Sequence, residues 1–229
     1  MKTMKISTLL LSLLALTTAG CNAGKTYPVQ SKQAASADWT LPTGEWDFSF
    51  ITPKDVWSKA THVRIIDTDG YRYIFNTLDQ TSRDPDSVDR WTDVTFGGGK
   101  HFNKAKKPPQ YIVFCWDSFA DRQTYETSVI FGPETWRRMK TPADHTWYGE
   151  TVWYNSMVFG LSPGGKVKIW FSDVEGRPSL PVKPIKLRTL SGKDLTLCKD
   201  YATPTEDYKK VISVEEINKG KTYPYGNWD

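Results

Sequence analysis

Short runs of alternating apolar and polar residues, each closed by turn-forming residues, limit most strongly how this chain can fold. In Trp46, Asp47, Phe48, Ser49 and Phe50 the aromatics share one side of an extended strand and the polar residues take the other, and Pro53 ends the run. Residues 63–66 and 71–75 flank Asp67, Thr68, Asp69 and Gly70, where Asp and Gly tolerate the positive φ of a tight hairpin turn. Residues 151–161 and 166–172 form a second hairpin around Ser162, Pro163, Gly164 and Gly165. Residues 111–116 are the most hydrophobic strand, and 125–131 follow it. Weaker strands fall at 91–96, 184–190 and 194–198, the last two at an edge because of Pro181 and Pro184. Residues 79–89, with Pro85, and 100–110, with four lysines, read as loops. Helical signals are few: 133–140, where Pro133 and Glu134 come early and Arg137, Arg138 and Lys140 late, and a terminal stretch at 206–217. With no repeat of solenoid or propeller period, the expected fold is mainly β. It is a single antiparallel β-sandwich-like domain over residues 39–229 with one or two short helices.

The N-terminus has a different texture. Lys2 and Lys5 precede an apolar, leucine-rich run over 6–16, and Thr18, Ala19 and Gly20 stand directly before Cys21. The apolar run is short of the ~20 residues that cross a bilayer as a helix, so 1–20 reads as a removable export signal. The small residues before a cysteine resemble the lipobox of bacterial lipoproteins, with Thr18 where leucine is usual. That resemblance implies lipidation of Cys21. Each buried methylene contributes roughly 0.8 kcal/mol, so two or three acyl chains hold a protein to a membrane where one does not. Asn22 after the cysteine implies, by resemblance to enterobacterial lipoproteins, sorting to the outer membrane with the body facing the periplasm. Residues 21–38 are small and polar without period, a flexible tether.

Removing 1–20 takes away Lys2 and Lys5 and leaves 28 basic residues against 26 acids, a balance that gives no reason to expect a nucleic-acid partner. Ten tryptophans and 14% aromatic residues guarantee a sizeable core and leave some rings at the surface. With Cys21 lipidated, Cys115 and Cys198 remain. An oxidising periplasm permits a bridge between them, while Cys115 in its apolar strand also reads as a buried thiol.

Motifs for catalysis are missing: no nucleophile elbow, no zinc-protease helix, no phosphate loop and no dinucleotide fingerprint. His62, His101 and His145 show no metal-ligand spacing, and no cofactor is expected. Asp117 after Trp116 and Glu126 after Tyr125 are the acids closest to a glycosidase setting. The plainer reading has Asp117 capping a loop and Glu126 facing solvent or pairing with Arg122. The expectation is a protein that binds and is not an enzyme.

Several stretches carry a further resemblance: Trp46 to Phe50, Ile66 to Gly70, Pro109 leading to Ser118, Tyr125 to Thr127, and Pro133 to Met139. Together they resemble a group of proteobacterial lipoproteins that share a domain of unknown function. Some members, encoded beside type VI secretion lipase effectors, act as immunity proteins. The resemblance implies a periplasmic, membrane-tethered inhibitor of a secreted phospholipase, with a lipase as partner and the lipid anchor as its membrane contact. The loops at 79–90 and 97–110 and the turn at 141–149, with Trp147 and Tyr148, are the candidate contact surfaces. The alternative is an envelope lipoprotein that binds a carbohydrate or peptidoglycan ligand through exposed aromatics. An aromatic row along an open groove favours the alternative, and exposed Trp147 or Tyr148 on a convex face favours protein blocking.

Overall fold

The computed structural model describes residues 38–229 apart from 85, 89, 93–100, 175–176, 205–206, 209–218, 221, 223–227 and 229. The export signal, Cys21 and all of the tether but Asp38 lie outside the described residues. So do most of the strand read at 91–96, the start of the loop at 97–110, and the helix read at 206–217 except Asp207 and Tyr208.

Asp38–Asp229 forms one compact, mainly β unit. Its six-stranded sheet centres on β1 (Trp46–Pro53). One edge of β1 pairs in parallel with β10 (Ser156–Ser162), placing Phe48 opposite Met157 and Phe50 opposite Phe159. Its other edge takes β5 (Lys104–Ala105) antiparallel at the start and β4 (Ser82–Asp84) parallel at the end. β11 (Lys166–Phe171) and β12 (Leu180–Pro181) extend the sheet beyond β10. The five-stranded sheet is wholly antiparallel, in the order β13-β7-β6-β2-β3, from β2 (Ser58–Asp67), β3 (Arg72–Phe75), β6 (Pro109–Ser118), β7 (Gln123–Ile130) and β13 (Lys186–Ser191). A small hairpin of β8 (Pro142–His145) and β9 (Thr151–Trp153) forms a third sheet, and helix α1 (Pro133–Met139) precedes it.

Several local expectations are revised. The loops at 79–89 and 100–110 each contribute a strand, β4 and β5, because β1 offers its whole free edge. Residues 151–161 are two strands, since β9 pairs with β8 while β10 pairs with β1, and the Asn155 carbonyl accepts the Asp47 N–H at 2.9 Å between them. Residues 194–198 are not a strand. Asp194 ends one 3₁₀ turn, Gly192–Asp194, and Leu197 begins another, Leu197–Tyr201, because the Thr196 and Cys198 amides point at a carboxylate and not at a neighbouring strand.

The core lies between the inner faces of the two large sheets. Trp46, Phe48, Phe50, Met157, Phe159 and Phe171 from one meet Val63, Ile65, Ile112, Phe114, Trp116 and Val129 from the other. Phe50 contacts both Phe114 and Phe159, with ring centroids 5.1 and 5.6 Å apart. Trp116 stacks on Tyr125 at 4.6 Å and donates its Nε1–H to Thr127 at 2.9 Å, so its polar edge is satisfied inside the core.

The outer faces are covered as well. Ile51, Val158 and Trp170 on the outer side of the six-stranded sheet pack under Trp91, whose ring also meets Trp228 at 5.5 Å. Gly160 creates the room for this: a Cβ there would lie 2.7 Å from Trp91 and 2.8 Å from Trp170. On the outer side of the five-stranded sheet, a bulge between Ala60 and His62 reverses the alternation of β2, so Ala60 faces the core and His62 faces outward opposite Cys115. Tyr201 stacks on the buried His62 ring at 3.9 Å, and a Cys115–Cys198 disulfide ties the C-terminal segment to the sheet. Burial first, then the nearby Arg64, hold the His62 pKa below its ordinary 6.5 against the opposing Asn76 bond, which keeps the ring neutral at physiological pH.

Two buried acids complete the attachment. The Glu126 carboxylate accepts the backbone N–H groups of Thr196 and Cys198, each at 2.9 Å, and the Thr196 hydroxyl. Asp117 accepts the hydroxyls of Thr124, Thr203 and Tyr208 at 2.6–2.8 Å. Removing the disulfide by the double substitution Cys115→Ala/Cys198→Ala, which releases a link across 83 residues, is expected to lower the unfolding free energy by about 3–4 kcal/mol, measurable by urea titration. Burial pushes the Glu126 pKa up, but the amides of Cys198, Thr196 and Leu197 and the Thr196 hydroxyl outweigh it and hold the group below its ordinary 4.5. Stability from this clamp is therefore complete above that value and is lost as pH falls through the lower folded value. Acid unfolding of Glu126→Gln should show a shallower loss of stability below pH 4.5 than the parent.

Candidate functional site

The aromatic hairpin stands out at the surface. Its tip is the turn Thr146, Trp147, Tyr148 and Gly149, closed by the Gly149 N–H donating to the Thr146 carbonyl at 2.9 Å, with Gly149 at φ +90°. The Thr146 N–H donates to the Glu150 carbonyl at 2.8 Å, and the Glu150 N–H returns to the Thr146 hydroxyl at 3.0 Å. A tight turn followed by a left-handed glycine fixes the backbone, so the two central side chains point away from the hairpin. Trp147 is 93% exposed and Tyr148 58%, whereas the next most exposed tryptophan, Trp57, is 38% exposed. The two rings lie edge to face with centroids 5.1 Å apart, each limiting the other's freedom.

The base of this hairpin is held from below. The Arg138 guanidinium lies 4.4 Å from the Tyr154 ring and donates to the carbonyls of Thr141 and Pro142 at 3.2 and 3.3 Å. Arg177 pairs with Asp144, and its hydrogen bond, with the His145 amide, lowers the Asp144 pKa. The tip is thus an aromatic pair on a braced stalk.

The other loops are tied into the fold. Asp79 accepts the N–H groups of His101, Phe102 and Asn103, so the loops at 79–90 and 97–110 are joined through one carboxylate. Phe102 and Val88 are exposed there, while Asp84 and Ser87 are buried and hydrogen-bonded to each other at 2.8 Å. Beside them runs an open groove of about 670 Å³, lined by Trp57, Phe119, Lys59, Asn76, Gln80 and Arg83 among others. The Arg83 guanidinium sits 3.7 Å from the centroid of the Trp57 ring and occupies one of its faces. This groove escaped the sequence reading because Trp57, Arg83 and Phe119 are distant in the chain and share no motif.

Of the residues weighed for chemistry, Asp117 and Glu126 lie on one face of the five-stranded sheet, and both bind the C-terminal segment. Neither caps a loop alone, and Glu126 is buried and not solvent-facing. His62 is stacked beneath Tyr201, and His101 and His145 lie apart in a loop and at the end of β8. Among the described residues no three His, Cys, Asp or Glu side chains are grouped to hold a metal ion, and no helix is long and apolar enough to cross a membrane.

Two packed sheets, a stapled C-terminal segment and a projecting aromatic hairpin define a mainly β, sandwich-like domain. The chain belongs to the family of proteins of unknown function DUF2931, which matches residues 23–226. No curated protein matches the chain, and no solved structure matches it.

Because Trp147 is 93% exposed, Trp147→Ala should change the unfolding free energy by no more than about 0.5 kcal/mol, as ordinary surface substitutions do, and so leave the thermal midpoint nearly unmoved. Circular dichroism melts of the parent and the variant give the comparison.

Proposed function

We propose that this protein is an envelope lipoprotein that acts by binding: anchored through lipid on Cys21 to the outer membrane and facing the periplasm, it inhibits an antibacterial lipase delivered by type VI secretion. The observation that carries the reading is the Trp147–Tyr148 tip on its braced hairpin. An indole in water forgoes the favourable free energy of burying its surface, about 25 cal/mol per Å², and a protein partner that covers the tip recovers it. Tryptophan and tyrosine held in one arrangement are the side chains that anchor interfaces most often, because little conformational entropy is lost on contact. The N-terminal signal, Cys21 and the resemblance to lipoproteins that protect against such lipases supply the location and the target. Tethering concentrates the inhibitor at the surface the lipase attacks. Asp117 and Glu126 support a binding role, since their oxygens are engaged by the domain's own C-terminal segment.

The groove beside Trp57 favours the second reading, a carbohydrate or peptidoglycan ligand. Arg83 over the indole weakens it, because stacking on that face requires the guanidinium to leave. Tryptophan fluorescence during titration with peptidoglycan fragments, compared between parent and Trp57→Phe, tests it directly.

The inhibitor reading is tested in cells that receive the lipase effector encoded nearest this gene in their periplasm. Deleting the gene should sensitise them, the parent protein should restore growth, and Trp147→Ala/Tyr148→Ala should bind the lipase about 30-fold more weakly, as loss of an interface anchor does. Equal killing with and without the gene overturns the proposal.

A further inference from the structure

The groove beside Trp57 arises where β2 loses a neighbour. β3 ends at Phe75 opposite Val63, so Ser58, Lys59 and Ala60 pair only with β6 on their other edge. The chain beyond β3 passes along this free edge, where the Thr81 hydroxyl accepts the Ala60 N–H at 3.2 Å. Trp57 and Phe119 stand together at its end, with the Phe119 N–H donating to the Trp57 carbonyl at 2.9 Å. The result is an open groove of about 670 Å³ lined by described residues, a size that suits a small ligand.

Its hydrogen-bonding capacity is one-sided. Ser58 is 7% exposed, and its hydroxyl has no hydrogen-bond partner among the described residues. The threonines around it differ: Thr52 donates to the Val56 carbonyl, Thr61 donates to the Cys115 carbonyl, and Thr81 serves Ala60. A buried hydroxyl left unpaired is costly, so its place in the lining gives a ligand a donor to satisfy. Asp79, the one acid in the lining, uses both oxygens to accept the His101, Phe102 and Asn103 amides. The Asn76 oxygen accepts the His62 Nδ1–H at 2.9 Å, which leaves only its NH₂ donors. Lys59 and Arg83 have no ion-pair partner among the described residues, and Arg83 rests on the Trp57 ring without a hydrogen bond from its guanidinium. Free donors therefore outnumber free side-chain acceptors, which reduce to Ser58 itself and the exposed Thr77 and Gln80.

We propose that this groove binds a small organic anion. Lys59 and Arg83 meet its carboxylate or phosphate group, the Ser58 hydroxyl is a further donor, and its apolar body lies against Trp57 and Phe119. Such a site is independent of whether the protein inhibits a lipase. Arginine pairs with carboxylates and phosphates through two parallel N–H bonds. It does so from its edge, so the stacking on Trp57 that obstructs a sugar ring does not obstruct an anion. A neutral sugar, whose hydroxyls donate as well as accept, matches a lining rich in donors less well than a group that only accepts.

The test follows the indole N–H signals of the nitrogen-labelled mature domain by NMR, the Trp57 signal being the one absent in Trp57→Phe. Phenylacetate should shift that signal saturably and bind about tenfold more tightly than phenylacetamide, as charge-assisted hydrogen bonds do, with the difference shrinking at high salt. Arg83→Gln should erase the preference, and Ser58→Ala should weaken phenylacetate binding about tenfold. Melting curves identify a variant that does not fold, and Lys59→Gln, at an exposed position, then takes its place. The parent alone is decisive. Equal affinity for phenylacetate and phenylacetamide, no shift with phenylacetate, or a saturable shift with N-acetylglucosamine alone overturns the site. Displacement of phenylacetate by phosphatidylglycerol vesicles, and not by phosphatidylcholine vesicles, assigns the anion to a lipid headgroup; no displacement assigns it to a soluble molecule, and the site stands in both cases.

Discussion

Burial of β1 on both faces is the constraint on which the rest of this structure depends. One side carries Trp46, Phe48 and Phe50 into the core between the sheets, and the other carries Ser49 and Ile51 beneath outer cover. A strand buried on both sides must also satisfy every backbone group laterally. β10 meets one edge, while β5 and β4 divide the other. This explains why two stretches rich in charge and proline contribute strands, and why two pairings in an otherwise antiparallel domain are parallel.

The same logic orders the outer layers. Over the six-stranded sheet, a cluster of indoles closes around the space left by Gly160. Over the five-stranded sheet the cover is polar, through Glu126 and Asp117, and it is linked covalently through Cys115 and Cys198. Carboxylates that each accept several hydrogen bonds are costly to bury unless the donors are complete, so these two acids specify where the segment lies. Among the described residues the braced hairpin and the groove beside Trp57 are surfaces open to a partner.

Much of the fold was legible in local patterns. Alternation around Phe48, the Asp67–Gly70 turn, the hydrophobic run through Phe114 and the proline-led α1 each act over a few residues, and all appear where they were read. The strand expected at 194–198 failed because a carboxylate some seventy residues away supplies the acceptors. The single strand expected at 151–161 failed for a similar reason, since the run breaks at Tyr154 and Asn155 and serves two different sheets. Trp147 and Tyr148 were identifiable as aromatics in a polar turn. The groove beside Trp57 was not, because Trp57, Arg83 and Phe119 come from separate chain segments that meet only in the fold.

The extra residue in β2 carries a wider consequence for how this chain can vary. With Thr61 in place, small Ala60 sits against the core and polar His62 lies beneath Tyr201. Deleting that single residue would set Ala60 beside His62 opposite the consecutive Trp116 and Cys115, and the ladder would run on with every side chain on its present face. A one-residue change anywhere else in the strand would turn the stretch beyond it inside out. Related chains that alter the length of this strand by one residue are therefore expected to do so at Thr61.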